Sequence, residues 1–164
     1  MMRSTPWRGR WHQAGLTLVE LMVALTIGGL LLATAAPYLG DYITNSRLRE
    51  NGNLLLTEAL IAQSEAVKRN ATVRMTTSGT TIQVIDLSVP ATPVVLRERN
   101  TTGGVSLPTT TTNFGTEGRP LPFGTAVSID VIATVVCSGD LSCPGLRIDA
   151  GGAIRLCGNQ LSCT

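Results

Sequence analysis

Side chains able to do chemistry are sparse in this 164-residue chain and gather at its two ends. Near the amino end stands Glu20, the single charge within residues 15–36, GLTLVELMVALTIGGLLLATAA. A carboxylate carried into a bilayer on such a segment costs about 2.5 to 3.5 kcal/mol on insertion scales, so Glu20 calls for a cationic partner. At the other end lie Cys137, Cys143, Cys157 and Cys163, with Arg147 and Arg155 among them. The cysteines form two C-x5-C units, CSGDLSC and CGNQLSC, a spacing that matches neither zinc sites nor thioredoxin-like redox centres. No metal site or cofactor is therefore expected. His12 is the only histidine, and the paired glycines Gly28-Gly29 and Gly103-Gly104 lack the strand-to-helix setting of a phosphate loop. Gly28 and Gly29 instead suit close approach between helices.

The elements that hold these residues follow from periodicity. Residues 16–38 carry one charge in 23 positions, and at about 1.5 Å per residue they span a hydrocarbon core of roughly 30 Å. Ahead of them, MMRSTPWRGRWHQAG holds Arg3, Arg8 and Arg10 and no acidic residue, which keeps that end in the cytoplasm and places the rest in the periplasm. Disulfides are favoured there. Four cysteines permit three pairings; the favoured one joins Cys137 to Cys143 and Cys157 to Cys163, each closing a short loop at a strand end. An ordinary secretory signal would cut after Ala33-Thr34-Ala35, but the length of the apolar run and the charge inside it speak against that.

Beyond Pro37 a helical stripe continues through Leu48, Gly52, Leu55, Ala59, Ala62 and Ala66, widened by Leu56, Leu60 and Val67. Arg47, Arg49, Glu50, Glu58, Glu65 and Lys68 fall largely off the stripe and should face water. One helix of about 50 residues results, 75 to 80 Å long at about 1.5 Å per residue; a break at Pro37 or Gly40 is the alternative. After Asn70 the texture changes to threonine, valine and isoleucine with glycine and proline, predicting strands at 72–76, 80–87, 94–99, 105–107, 109–114, 126–136, 146–149 and 153–157. Ser78-Gly79 reads as a hairpin turn, Gly151-Gly152 as the link between the last two strands, and 109–112 as a polar edge strand or a loop.

The run Gly15-Leu16-Thr17-Leu18-Val19-Glu20 resembles the cleavage and methylation motif of type IV pilins and type II secretion pseudopilins. That resemblance implies cleavage between Gly15 and Leu16 by a prepilin peptidase, N-methylation of Leu16, and pairing of Glu20 with an amino terminus in the growing filament. Leu16 stands where phenylalanine is commonest. Pro37 matches the position where pilin helices often carry a helix-loosening proline. Gln63-Ser64-Glu65-Ala66-Val67-Lys68-Arg69-Asn70, Asn113-Phe114 before Gly118-Arg119, and the closing pair Leu146-Arg147-Ile148-Asp149 and Ile154-Arg155-Leu156-Cys157 are similar to the GspH/FimT family of minor pseudopilins and minor pilins.

The implied fold is α+β, a long amino-terminal helix packed on an antiparallel β-sandwich-like domain. Its parts are a leader at 1–15, a transmembrane or filament-core helix at 16–38, an amphipathic half at 39–69 and a periplasmic β domain at 70–164. The implied role is that of a structural subunit of a type II secretion pseudopilus or a type IV pilus, held by inner-membrane lipid before assembly. Its partners would be the peptidase, other minor and major pilins or pseudopilins, and the inner-membrane assembly platform. The alternative is a competence pilin that binds DNA. DNA-binding members carry glycine-arginine-any-arginine in the last turn, whereas this chain has Gly152-Ala153-Ile154-Arg155, so Arg155 alone transfers, with Arg147 across the hairpin as a possible second phosphate contact. Without the leader's three arginines the chain holds ten basic and eleven acidic residues, which gives composition no part in binding DNA. Leader removal also takes His12, Trp7 and Trp11, leaving no Ser-His-Asp set and no enzyme expectation.

Overall fold

The computed structural model describes residues 17–132, 137 and 141–163. The leader, with Gly15, Leu16 and His12, and residues 133–136 of the expected strand 126–136 lie outside them. The chain divides into two compact units between Tyr38 and Leu39. A single helix, α1 (Leu18–Arg69), contains that boundary and continues through Pro37, which removes the expected alternative of two helices. Its carboxy end has a specific stop. Asn70 adopts φ +50°, Ala71 N donates to Ala66 O at 3.2 Å, and Asn70 N donates to Val67 O at 3.2 Å. These are the two bonds of a Schellman cap, with asparagine tolerating the left-handed position, and Lys68 and Arg69 set positive charge on the final carbonyls.

Eight strands follow: β1 (Val73–Gly79), β2 (Thr81–Asp86), β3 (Val94–Asn100), β4 (Leu107–Phe114), β5 (Pro120–Leu121), β6 (Val127–Asp130), β7 (Gly145–Ile148) and β8 (Ile154–Cys157). They form two antiparallel sheets, one ordered β3-β2-β1-β4-β5 and the other β6-β7-β8. Alternation sorts the faces. Val73, Met75, Ile82 and Val84 of the larger sheet and Ile129, Leu146 and Ile148 of the smaller turn inward, and the helix stripe Leu48, Leu55, Ala59, Ala62 and Ala66 joins them with Phe114 in one core. Each fully buried leucine, isoleucine or phenylalanine contributes about 1.5 to 3 kcal/mol by leaving water. Gly52 serves close approach, since a Cβ there would stand 2.7 Å from Pro144 Cγ.

Several expectations change. Leu107 of the expected strand 105–107 joins 109–114 in one strand, β4, with Pro108 inside it, and Val105 and Ser106 lie ahead of it. Proline is tolerated because β5 pairs only with Asn113 and Phe114, so the Pro108 end of β4 is an edge, and the pairing with β1 shifts between Thr77 and Gly79. The threonines 109–112 are therefore an edge strand, paired with β1 on one side and lying ahead of β5 on the other, and Thr112 is buried. Among the described residues of the expected strand 126–136, Val127–Asp130 form β6, and Ile132 forms an isolated bridge with Ser106. The short β5 was not foreseen, because two residues carry no period. The first hairpin turn is Gly79-Thr80, one residue later than expected, since Ser78 pairs with Thr81.

Leu60 and Val67 are exposed and Leu56 half-buried, so the helix stripe is narrower than its apolar residues suggested. Glu58, expected in water, is buried.

Two substitutions check this account by chemical denaturation of the purified protein. Gly52→Val overpacks the Pro144 contact and is expected to cost about 1 to 3 kcal/mol. Asn70→Ala should lose about 1 kcal/mol at the left-handed cap, whereas Asn70→Gly should lose none.

Candidate assembly site and arginine hairpin

In the amino-terminal unit, Leu18–Ala36 is long and apolar enough to cross a membrane, with a mean hydropathy of 2.1 and none of it buried. Thr17 caps the helix: its Oγ1 accepts from Glu20 N at 3.2 Å and its carbonyl from Leu21 N at 3.1 Å. Glu20 is thus the third residue of the first turn, the acidic position of a capping box. The Thr-x-x-Glu spacing is the sequence signal for this cap. A carboxylate at a helix amino terminus gains about 0.3 to 1 kcal/mol from the helix dipole. That is well short of the cost of the same charge in hydrocarbon, so the cap lowers the demand for a counter-charge without removing it.

Other polar groups on this segment look after themselves. Thr26 Oγ1 donates to Val23 O at 2.8 Å and Thr34 Oγ1 to Leu31 O at 2.9 Å. No basic group forms an ion pair with Glu20 among the described residues. A Cβ at Gly28 or Gly29 would meet nothing within 4 Å, so both leave a bare backbone surface on the helix.

At the carboxy end, Arg147 and Arg155 are direct cross-strand partners of β7 and β8 and share one sheet face. Each is engaged by a carboxylate. Arg147 Nη1 donates to Asp130 Oδ1 at 2.6 Å and to Leu146 O at 3.1 Å, and Arg155 Nη2 donates to Asp149 Oδ1 at 3.2 Å. The side chain of Arg147 is 18% exposed and that of Arg155 54%, so only the second offers much of its guanidinium to a ligand.

The turn between them is held from the helix. Gln63 Nε2 donates to Gly152 O at 2.6 Å and Gly118 O at 2.7 Å. Gly152 has φ +91°, and a Cβ there would lie 2.9 Å from Gly118 O, so no other residue fits. Gln63 was singled out only within the family-like stretch; its clamp on two turns has no local sequence signal.

Cys137 pairs with Cys143 and Cys157 with Cys163, with Cα separations of 5.8 and 5.6 Å. The two loops are laced together: Gln160 N donates to Cys143 O at 2.7 Å and Gln160 Nε2 to Cys137 Sγ at 3.4 Å. Ser142 N donates to Asn45 Oδ1 at 3.0 Å, fastening the first loop to the helix.

Two polar clusters join helix and larger sheet. Glu58 takes a two-point hydrogen bond from Arg97, Nε to Oε2 at 3.1 Å and Nη2 to Oε1 at 3.0 Å, which raises the arginine's pKa. The spacing Leu55, Glu58, Ala62 follows the buried stripe, a signal that could have placed Glu58 inside. Asp86 lies below the ordinary value of 3.8, first through hydrogen bonds from Ser88 and then through Arg69. Glu65 is also lowered, chiefly by the hydrogen bond from Arg69.

Residues 12–36 match the family model for the prokaryotic N-terminal methylation motif. The larger comparison is structural. The type IV minor pilin FimU of Pseudomonas aeruginosa PAO1 superposes with a TM-score of 0.58 at 17% identity, over 68% of this chain and 88% of that one. A second crystal form of FimU gives 0.55 at 17%, over 66% and 90%. The chain has the pilin fold. It carries the prepilin-type motif at its amino end, as a pilin or pseudopilin does. No curated protein sequence matches it.

The pilin fold here should weaken in acid in a defined way. Asp86 and Glu65 have folded pKa values below their unfolded ones, so their contribution is present above the unfolded values and is lost as pH falls through the folded ones. Denaturation midpoints measured between neutral pH and pH 3 should fall, and Asp86→Asn should flatten that fall. Replacing Cys157 and Cys163 together by serine is expected to cost about 2 kcal/mol in the same assay, the value for a short closed loop.

Proposed function

We propose that this protein is a minor subunit of a type IV pilus or type II secretion pseudopilus. In this role it is processed between Gly15 and Leu16, methylated on Leu16, and drawn from the inner membrane into a helical filament core with its β domain outward. The observation that carries this is an apolar helix segment, Leu18–Ala36, none of it buried among the described residues and with one carboxylate at its start. In a bundle of such helices the freed amino terminus of a neighbouring subunit supplies the cation that Glu20 lacks. An unpaired charge in hydrocarbon is costly and a paired one much less so, which makes the stagger that joins them the favoured one. Gly28 and Gly29 let backbones pack closely in that bundle.

DNA capture through Arg147 and Arg155 is the second reading. Their cross-strand pairing favours it, but each guanidinium is already neutralised by an aspartate, Asp130 or Asp149, and only Arg155 leaves much of its own exposed. Filament assembly is therefore preferred, with cargo or neighbouring subunits as the contacts of the β domain.

Mass spectrometry of the chain from cells that build the filament should find methylated Leu16 at its amino terminus. A start at Ala36 would mark an ordinary secreted protein instead. Glu20→Ala should still insert in the membrane yet be missing from sheared filaments; its undiminished incorporation would refute the charge-pair mechanism. Full-length protein in detergent is expected not to retard duplex DNA in a gel even at low salt, and retardation abolished by Arg155→Ala would establish the second reading.

A further inference from the structure

Strand β3 closes one side of the larger sheet, and among the described residues nothing pairs with its outer edge. Thr101 N donates to Thr80 O at 2.7 Å, and the same register pairs Ile82 with Arg99 and Val84 with Arg97. In an antiparallel ladder those residues turn their backbone groups toward β2, so Glu98 and Asn100 between them turn theirs away from the sheet. Two N–H and two C=O groups, spaced for a sixth strand, line this edge.

The side chains beside it are unevenly charged. Arg97 and Arg99 lie on the helix side, where Glu58 binds the first at two points and approaches Arg99 Nε at 3.8 Å. One carboxylate faces two guanidiniums, leaving one positive charge in excess. Next to them runs a groove of about 340 Å³ lined by Ile61, Ser64, Glu65, Arg69, Leu96 and Arg97. Val94 and Val95, both exposed, lead into it along the strand.

Charged residues on an edge guard against indiscriminate pairing, and here they also select a partner. Pairing Glu98 with Glu98 of a second copy sets Arg97 against Arg99, and pairing Glu98 with Asn100 sets Arg99 against Arg99. Like charges directly opposite are unfavourable, so a second copy is rejected and a strand of different sequence, acidic on that face, is accepted.

We infer that the outer edge of β3 receives an extended segment of a different filament subunit as a sixth strand. A carboxylate of that segment faces Arg97 and Arg99, and an apolar side chain enters the groove between Ile61 and Leu96. Main-chain hydrogen bonds hold such a segment and the groove sets its specificity, as in other cases of strand addition. This rests on the filament reading above.

The test uses the full-length chain in filament-building cells, with the photo-crosslinker benzoylphenylalanine at Asn100 or, as control, at exposed Thr111 on β4. Asn100 should yield a product whose second peptide, identified by mass spectrometry, belongs to another protein with a prepilin-type amino terminus. Arg99→Glu should cut that yield about tenfold. Asn100→Pro, tested with the crosslinker at Glu98, removes an outward N–H while sparing the ladder to β2 and should abolish the product. A yield no higher than from Thr111, a product between two copies of this chain, or indifference to Arg99→Glu would overturn strand addition while leaving filament membership intact. Absence of the wild-type chain from sheared filaments would remove both.

Discussion

An apolar helix surface must be covered, and α1 meets that constraint differently along its length. From Leu48 to Ala66 the cover comes from the chain's own sheets, which enclose Leu48, Leu55, Ala59, Ala62 and Ala66. From Leu18 to Ala36 no such cover exists within the described residues. The first arrangement makes a folded domain, and the second makes a component that must find lipid or other helices. What the β domain does is thus tied to where an uncovered helix can go.

Burial of the second half is made specific by polar fasteners. Asn51 donates from Nδ2 to Arg47 O and Thr102 O and accepts from Thr102 N, pinning the loop after β3 to the helix. Glu58 fastens β3, Gln63 fastens two turns, and Arg69 bridges Glu65 and Asp86. A smooth apolar stripe would permit sliding by a helical turn. These side chains, each satisfied in one position only, forbid it.

Much of this was legible from the residues. The stripe from Leu48 to Ala66 repeats at helical spacing because one face packs on a sheet, and every member is buried. The alternating strands around Met75, Val84 and Ile148 could be read for the corresponding reason. What escaped depends on distant partners. Glu58 sits at the spacing of the buried stripe, but what neutralises its charge there is Arg97, 39 residues on. Leu60 and Val67 look like core until the sheet proves narrower than the stripe. β5 exists only because Asn113 and Phe114 lie beside it. At the assembly site both the lone charge and the Thr-x-x-Glu spacing of its cap are local features of the sequence; at the arginine hairpin the arginines are legible, whereas their aspartate partners depend on the fold.

The two hydrogens of the Gln63 amide go to different sheets, one to the β4–β5 turn at Gly118 and one to the β7–β8 turn at Gly152. Neither turn can shift without stranding a carbonyl that the other's position prevents Gln63 from following. Force applied at one tip is therefore shared by the other, and a tug on the hairpin bearing Arg155 would be passed to the helix rather than absorbed by a yielding loop.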